Sequence, residues 1–283
     1  MNNTKLTQIL KGEFLMNLSN ENIIHIKNNG LEYIQFRKLL EYEDILTHCF
    51  TLKPLDFGDN GNFEDKKDIV ENNYKLICDQ LNIDYKDIIR PYQTHTNNVK
   101  KVGNNKGIFL QEYTDIDGLI TDKPKKVLSL TFADCTPIYL FDLKKKAIGN
   151  IHSGWQGTVK QIVKFAIEKM ISTYGSNPKD IICAIGPTIR KCHFEVEDDV
   201  KEIFLNQFKQ ISDIITKGEI KQGKQKYYID TVKINKNMLI EMGVLEENII
   251  DSGICTVCNS DLIHSYRKEG RYAGRNTAII MLK

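Results

Sequence analysis

The sequence predicts one α/β domain in which a mixed, largely antiparallel sheet system is flanked by helices, a layered α/β sandwich. Val127–Asp142 is apolar and rich in β-branched and aromatic residues, breaks at a lysine-rich turn and resumes at Ala147–His152, as in a β-hairpin. Thr158–Tyr174 then carries apolar residues at helical spacing and stops at Gly175. No internal repeat or low-complexity linker interrupts the chain, so a single domain is expected over residues 21–283.

The first part of the chain predicts an extension followed by strands and a helix. Met1–Asn20 is polar and asparagine-rich, and we expect a mobile or loosely docked extension there. Asn22–Lys38 contains two apolar runs around an Asn-Gly turn signal, which indicates a strand pair. Pro54–Asn62 is expected to be a loop, and the apolar spacing of Asp65–Leu81 predicts a helix.

Strands and helices alternate in the last part of the chain. Apolar runs predict buried strands, and apolar residues at helical spacing predict the helices between them. The expected elements are a strand at Ile181–Ile185, helices at Asp198–Phe208 and Thr231–Met242, and strands at Asn248–Ile254 and Thr277–Leu282.

Composition narrows the classes of function. The 39 basic and 37 acidic residues give a formal net charge of +2, and the lysines are scattered. Neither a basic stripe nor an arginine cluster is present, which argues against a nucleic-acid or membrane-surface protein. No apolar run approaches the roughly 20 residues of a membrane span, and no signal-peptide pattern opens the chain. With seven cysteines, an odd number spread along the chain, we expect a reducing, cytoplasmic location rather than a disulfide framework.

The predicted hairpin brings two potential metal ligands together. If its turn is centred midway between Cys135 and His152, inside the cluster Leu143–Lys146, these residues are cross-strand neighbours roughly 5 Å apart. A catalytic zinc ion typically takes three protein ligands and keeps a fourth position for water or substrate. One more nitrogen donor would complete the set, and spacing along the chain does not identify it.

Other interpretations of these residues stay open. A cysteine in an apolar strand is often only a small buried hydrophobe, and a thiolate serves equally as nucleophile or metal ligand. Asp134 can orient a ligand histidine or cap its turn, and Asp117 in Asp-Gly can be simple turn chemistry.

A second group of cysteines is less complete on sequence grounds. Cys255-Thr-Val-Cys258 has the spacing of half a structural zinc site or of a redox pair, but no second Cys-x-x-Cys completes it, and a structural role is favoured. His193 and His264 compete for a fourth metal position.

Six segments together resemble the family long labelled multicopper polyphenol oxidase or laccase-domain proteins, whose members are described as purine nucleoside phosphorylases. The matching segments are Gln93-Thr-His95, Asp117-Gly-Leu-Ile-Thr-Asp122, Ala133-Asp-Cys135-Thr-Pro137, Ile151-His-Ser-Gly-Trp155-Gln-Gly157, Ala184-Ile-Gly-Pro187, and Ser265-Tyr-Arg267 followed by Gly274-Arg275. The resemblance implies that His95, Cys135 and His152 form a catalytic zinc site, with Asp134 or a nearby group moving protons.

The resemblance also implies the substrates. Adenosine or inosine plus phosphate would give the free base and ribose 1-phosphate, with methylthioadenosine cleavage and adenosine deamination as further activities. A cysteine-nucleophile hydrolase or amidase, with Cys135 attacking and His152 as base, is the alternative, and a proposed link of some relatives to cell-wall peptide precursors suits it. A four-copper oxidase is disfavoured because no His-x-His pair occurs among the six histidines. The chain is expected to be a monomer or a homodimer.

Departures from the family pattern affect anion binding most. Gln156 and Lys53 stand where the family usually has arginine, and lysine lacks the planar fork that binds phosphate in a bidentate manner. The candidate phosphate-binding residues are Lys53, Arg190 and Arg275. Trp155 can stack on a substrate base or only pack against the start of the helix.

Overall fold

The computed structural model describes residues 17–58, 63–104, 107–108, 111–208 and 213–283. Most of the expected extension over residues 1–20, and the end of the expected loop Pro54–Asn62, lie outside these ranges. At residues 17–20 the chain is docked: Leu18 is buried, and Nδ2 of Asn20 donates a hydrogen bond to the carbonyl of Ser252 at 2.8 Å.

The described residues form strands that are distributed over the whole chain. They are β1 (Ile23–Asn28), β2 (Leu31–Phe36), β3 (Leu46–Thr51), β4 (Ile88–Arg90), β5 (Val99–Lys101), β6 (Gly107–Ile108), β7 (Gly118–Thr121), β8 (Val127–Phe132), β9 (Thr136–Asp142), β10 (Ala147–Ser153), β11 (Ile181–Ile185), β12 (Glu195–Val196), β13 (Ile215–Lys221), β14 (Lys224–Ile229), β15 (Ile249–Asp251) and β16 (Asn276–Leu282). The helices are α1 (Arg37–Leu40), α2 (Phe63–Leu81), α3 (Trp155–Val159), α4 (Ile162–Tyr174), α5 (Asp198–Gln207), α6 (Thr231–Glu241) and α7 (Tyr266–Glu269).

Two large sheets make up the centre of the molecule. The first has the strand order β1-β2-β3-β16-β8-β4-β6, and the second has the order β15-β11-β9-β10-β7-β5. Most neighbouring strands are antiparallel, whereas β4 pairs in parallel with β6 and β8, β5 with β7, and β11 with β15. The predicted mixed, largely antiparallel α/β domain is confirmed.

The two sheets are stacked between helices, so the central strands are buried on both faces. On β9, Tyr139 and Phe141 enter the core between the sheets, whereas Ile138 and Leu140 face the core that α4 and α6 help to form. Helix α2 covers the outer face of the first sheet. This layering explains why β9 is a continuous apolar run rather than an alternating one.

The predicted hairpin differs from the observed one in two respects. Val127–Asp142 is not one strand, because Asp134 adopts a left-handed conformation (φ 83°) and the chain passes there from the first sheet to the second. The turn closes on the pair Asp142 and Ala147, and Oδ1 of Asp142 accepts a hydrogen bond from the Lys145 amide at 2.9 Å. His152 therefore lies opposite Pro137, and the expected register between Cys135 and His152 is wrong by two residues.

One helix and one sheet also differ from expectation. The predicted helix Thr158–Tyr174 is divided into α3 and α4 by Gln161, which has φ 59°. The third sheet, β12-β14-β13, was not expected, because the partly exposed strands of its hairpin do not show a clear apolar alternation.

In the part of the chain that the structure describes, no helix has both the length and the apolar character needed to cross a bilayer.

Candidate metal centre and cavity

Three separate segments place His95, Cys135 and His152 at one point. His95 lies between β4 and β5, Cys135 follows the left-handed turn between β8 and β9, and His152 is near the end of β10. One potential ligand atom from each lies within 4.8 Å of the others, and Nε2 of His95 is 3.7 Å from Sγ of Cys135. Tetrahedral zinc with ordinary bond lengths predicts a sulfur–nitrogen separation of about 3.6 Å. The donor set and its spacing therefore fit a zinc ion.

A buried carboxylate fixes both histidines. Asp117 is fully buried, and its Oδ1 accepts hydrogen bonds from Nδ1 of His152 at 2.8 Å and from the His95 amide at 3.1 Å. Its Oδ2 accepts hydrogen bonds from the amide and the hydroxyl of Thr96, both at 2.7 Å. Since Nδ1 of His152 donates to this carboxylate, Nε2 is the nitrogen available for a metal.

The charged forms of Asp117, His152 and Cys135 stabilise one another. Burial acts to raise the pKa of Asp117, but the hydrogen bond and charge of His152 lower that pKa to about 2. Burial acts to lower the pKa of His152, but the charges of Cys135 and Asp117 raise it to about 9. Burial acts to raise the pKa of the Cys135 thiol, yet His152 and His95 lower it to about 6. In the absence of metal, both histidines therefore favour the thiolate form of Cys135.

Two residues of the centre have backbone conformations that non-glycine residues rarely adopt. His95 has φ 63° and Asp134 has φ 83°, both in the left-handed region. Each such conformation raises the free energy of the folded state by about 1–3 kcal/mol, and it persists only where neighbouring contacts fix it. For His95 the contact is the hydrogen bond from its amide to Asp117.

Asp134 is fixed by hydrogen bonds from residues far along the chain. Its Oδ1 accepts from the hydroxyls of Thr256 at 2.5 Å and Ser265 at 2.7 Å, and its Oδ2 accepts from the Arg267 amide at 2.5 Å. Of the two roles open on sequence grounds, this geometry fits the stabilised turn, because the hydrogen-bond partner of His152 is Asp117.

The backbone at Gly154 lies so close to the candidate ligands that a side chain has no room there. A Cβ atom built at this position would lie 2.8 Å from Cδ2 of His95 and 2.9 Å from Sγ of Cys135. Both distances are shorter than atoms of these types tolerate. The glycine after His152-Ser153 therefore lets the backbone pass directly beside the centre.

A cavity of about 800 Å³ opens over the three candidate ligands. This volume lies within the range of small-molecule sites, roughly 300–1,000 Å³. Its walls also carry aromatic, basic and acidic side chains, among them Tyr92, Trp155, Phe194, Arg90, Arg267, Arg275, Glu195, Glu197 and Asp199. Trp155 lines the cavity and packs against Phe204, with ring centroids 6.4 Å apart.

The expected anion-binding residues are divided between the cavity and other places. Arg275 lines the cavity, whereas Lys53 pairs with Glu269 at 2.5 Å and Arg190 forms a bidentate pair with Asp251 at 2.7 and 2.8 Å. Neither Lys53 nor Arg190 is among the residues that line the cavity. Arg267 does line it and was not singled out, although it belongs to the Ser-Tyr-Arg segment and could have been found there.

The two histidines expected to compete for a fourth position do not join this centre. Nε2 of His264 lies 3.0 Å from the carbonyl of Leu55. His193 belongs instead to a second cluster, with Cys192, Cys255 and Cys258, whose potential ligand atoms also lie within 4.8 Å of one another. Cys255 and Cys258 are thus completed by a Cys-His pair and not by a second Cys-x-x-Cys.

The fold and the site define a layered α/β protein with a candidate His-Cys-His metal centre inside a cavity of small-molecule size. The chain belongs to the family described as multi-copper polyphenol oxidoreductase laccase, whose model matches residues 52–283.

Similar proteins include both curated relatives and a solved structure. The chain is 32% identical over 237 residues to purine nucleoside phosphorylase YlmD of Bacillus subtilis, covering 82% of this chain and 84% of the relative. It is 31% identical over 201 residues to adenosine deaminase RL5 of an unknown prokaryotic organism, covering 69% and 75%. The crystal structure of Bacillus licheniformis hypothetical protein YfiH is similar with a TM-score of 0.80 at 29% identity, over 90% of this chain and all of that one. These relatives support an enzyme that acts on nucleosides.

Proposed function

We propose that this chain is a zinc-dependent purine nucleoside phosphorylase that converts adenosine or inosine and phosphate into the base and ribose 1-phosphate, and that methylthioadenosine is a further substrate. The observation that carries the proposal is the convergence of His95, Cys135 and His152 at one point of a cavity that also holds arginines and aromatic rings. Relatives named purine nucleoside phosphorylase support this reaction class.

His95, Cys135 and His152 would hold the zinc ion. Three protein ligands leave a coordination position for water or substrate, and a zinc ion there would act as a Lewis acid and lower the pKa of bound water. A blue-copper site also uses two histidines and one cysteine, with a weak axial ligand that is methionine, glutamine or a backbone oxygen. Gln93 lines the cavity, so metal analysis of the purified protein is the measurement that separates zinc from copper.

The rest of the cavity would position the two substrates. Arg267 and Arg275 offer charge-assisted hydrogen bonds to phosphate, and Trp155 offers a ring face to the purine. Bringing both substrates together in a fixed orientation converts a bimolecular reaction into an effectively unimolecular one. Asp134 contributes as a positioning residue, because it fixes the turn that carries Cys135 and accepts the Arg267 amide.

The test is release of base from inosine and adenosine, with and without phosphate, by protein stripped of metal and then reloaded with zinc. We expect release to require both phosphate and zinc, and to fall at least 100-fold in Cys135→Ala. Arg271→Ala is the matched control, because Arg271 contacts Tyr272 and is not among the residues that line the cavity. Base release indifferent to phosphate and metal would overturn the proposal.

Adenosine deamination is a second activity of the same centre, and the relative named adenosine deaminase RL5 supports it. Water activated beside His95, Cys135 and His152 would attack C6 of adenine, and cleavage of the bond from C6 to the amino nitrogen would release ammonia and leave inosine. The measurement is conversion of adenosine to inosine without phosphate. Deamination is excluded if zinc-loaded protein forms no inosine from adenosine while it still releases base from inosine in the presence of phosphate.

A cysteine-nucleophile hydrolase or amidase is the alternative that the lowered pKa of Cys135 favours. In metal-free protein, alkylation of Cys135 should rise through a midpoint near pH 6, because the reactive thiolate forms as pH increases past the pKa. Bound zinc should block this reaction if the thiolate is a ligand. Stoichiometric alkylation of Cys135 in zinc-loaded protein would favour the nucleophile, and peptide mass spectrometry separates it from the exposed Cys192 and Cys258.

A further inference from the structure

A second group of potential metal ligands, Cys192, His193, Cys255 and Cys258, lies apart from the residues that line the cavity. Nδ1 of His193 is central to it, at 3.2 Å from Sγ of Cys192, 3.6 Å from Sγ of Cys255 and 3.5 Å from Sγ of Cys258. The sulfurs of Cys192 and Cys258 are 3.9 Å apart.

Three of these four separations match the edges of a tetrahedron around zinc. With zinc–sulfur bonds of about 2.3 Å and a zinc–nitrogen bond of about 2.0–2.1 Å, sulfurs are separated by about 3.8 Å and sulfur and nitrogen by about 3.6 Å. The observed sulfur–sulfur distance and two of the three sulfur–nitrogen distances agree with these values within about 0.2 Å. The third is shorter by about 0.4 Å.

We propose that Cys192, His193, Cys255 and Cys258 bind a structural zinc ion, separate from the ion proposed at His95, Cys135 and His152. Three cysteines and one histidine fill all four positions of a tetrahedral ion, which is the arrangement of closed, structural zinc sites. A disulfide between Cys192 and Cys258 would require an S–S distance of about 2.05 Å and would leave Cys255 and His193 without a role.

The proposed ion joins segments that support the cavity. Thr256, between two of the ligands, donates its hydroxyl hydrogen to Oδ1 of Asp134 at 2.5 Å and its amide hydrogen to the carbonyl of Thr188 at 3.1 Å. The carbonyl of His193 accepts a hydrogen bond from Nη1 of Arg267 at 2.6 Å. The ion would therefore hold together the turn that carries Cys135 and the arginine that faces the cavity.

Metal content tests the proposal without reference to catalysis. Protein prepared under reducing conditions and dialysed against zinc should hold two zinc ions per chain, as measured by mass spectrometry of the metal. The double variant Cys192→Ser/Cys258→Ser should hold one, and so should His95→Ala/Cys135→Ser. Lys191→Ala is the matched control, because it lies beside Cys192 without offering a ligand, and it should hold two.

Cobalt substitution of the wild-type chain keeps the test independent of whether the variants fold. Thiolate-to-cobalt charge-transfer absorption grows with the number of cysteine ligands, so a site with three cysteines should dominate the spectrum over one with a single cysteine. Cys192→Ser/Cys258→Ser should remove most of this absorption. A wild-type metal content that the substitutions Cys192→Ser/Cys258→Ser leave unchanged, or a disulfide between Cys192 and Cys258 in protein prepared under reducing conditions, would overturn the proposal.

The outcome is distinguishable from failure of the proposed phosphorylase activity. An inactive chain that still holds two zinc ions contradicts only the function, and an active chain with zinc at His95, Cys135 and His152 alone contradicts only the second site.

Discussion

Oδ1 of Asp117 accepts a hydrogen bond from Nδ1 of His152 at 2.8 Å, and the same oxygen accepts the backbone amide of His95 at 3.1 Å. One buried carboxylate thus orients the ring of His152 and fixes the backbone that carries His95, two candidate ligands from segments far apart along the chain. Such carboxylate–histidine pairs fix the ring orientation and raise the basicity of the metal-binding nitrogen. The geometry of the centre therefore depends on a residue that does not itself bind the ion.

Asp117→Asn should weaken metal binding at this centre by about 10–100-fold, because the neutral amide no longer stabilises the orientation and charge of His152. The measurement is zinc affinity by competition with a chelator. Asp115→Asn is the matched control, since Asp115 lies two residues away and accepts the Thr94 hydroxyl at an exposed position. Equal affinities of the two variants would contradict this role of Asp117.

Gly154→Ala should abolish metal binding at the same centre or reduce it at least 100-fold, because the added methyl group would collide with His95 and Cys135. The control is Gly103→Ala, a position where a Cβ atom meets nothing within 4 Å. Metal analysis of both proteins after gel filtration makes the comparison. A Gly154→Ala protein with wild-type metal content at this centre would show that the backbone does not approach the ligands this closely.

The sequence predicted the central strands and most helix positions because apolar periodicity reflects burial directly. It misplaced the hairpin by two residues because register depends on the closing pair Asp142 and Ala147, which composition does not reveal. The division of the strand at Asp134 was also not visible, since its left-handed turn is stabilised by hydrogen bonds from Thr256, Ser265 and Arg267. Those partners are brought near by the fold alone.

The sequence also predicted part of the candidate site. Spacing suggested that Cys135 and His152 lie close together, and resemblance to a family added His95. Asp117 could equally have been turn chemistry, because nothing local indicates its contacts with both histidines. The completion of Cys255 and Cys258 by Cys192 and His193 depends on long-range packing and has no signature in residue spacing.

Buried His48 should make stability depend on pH. Burial lowers its pKa to about 3, and its Nε2 accepts the Phe36 amide at 2.8 Å, so it is neutral in the folded state. The unfolded chain binds this proton below about pH 6.5, so the free energy of unfolding falls as pH decreases from about 6.5 toward about 3. His48→Gln should remove about 2 kcal/mol of the decrease between about pH 6.5 and pH 5. The free energy of unfolding in urea, measured for the wild type and for His48→Gln across this pH range, tests the prediction. The same pH dependence in both proteins would contradict it.

Arg267→Ala and Arg275→Ala should each raise KM for phosphate about 10–100-fold, because hydrogen bonds to charged groups contribute about 1.5–3 kcal/mol. The effect on KM for the nucleoside should be smaller, since both guanidinium groups are assigned to the anion. Arg271→Ala is the control and should leave both constants unchanged. A phosphate KM that is unchanged in both cavity variants would place the anion elsewhere.

The most direct measurement is an anomalous difference map at the zinc absorption edge from crystals of active, zinc-loaded protein. A divalent ion coordinated by two imidazoles and one thiolate predicts a peak within about 2.0–2.3 Å of Cys135 Sγ and of one ring nitrogen each of His95 and His152. The absence of a peak among these three side chains, in crystals whose dissolved protein still releases base from inosine with phosphate, would contradict the assignment of the reaction to this centre.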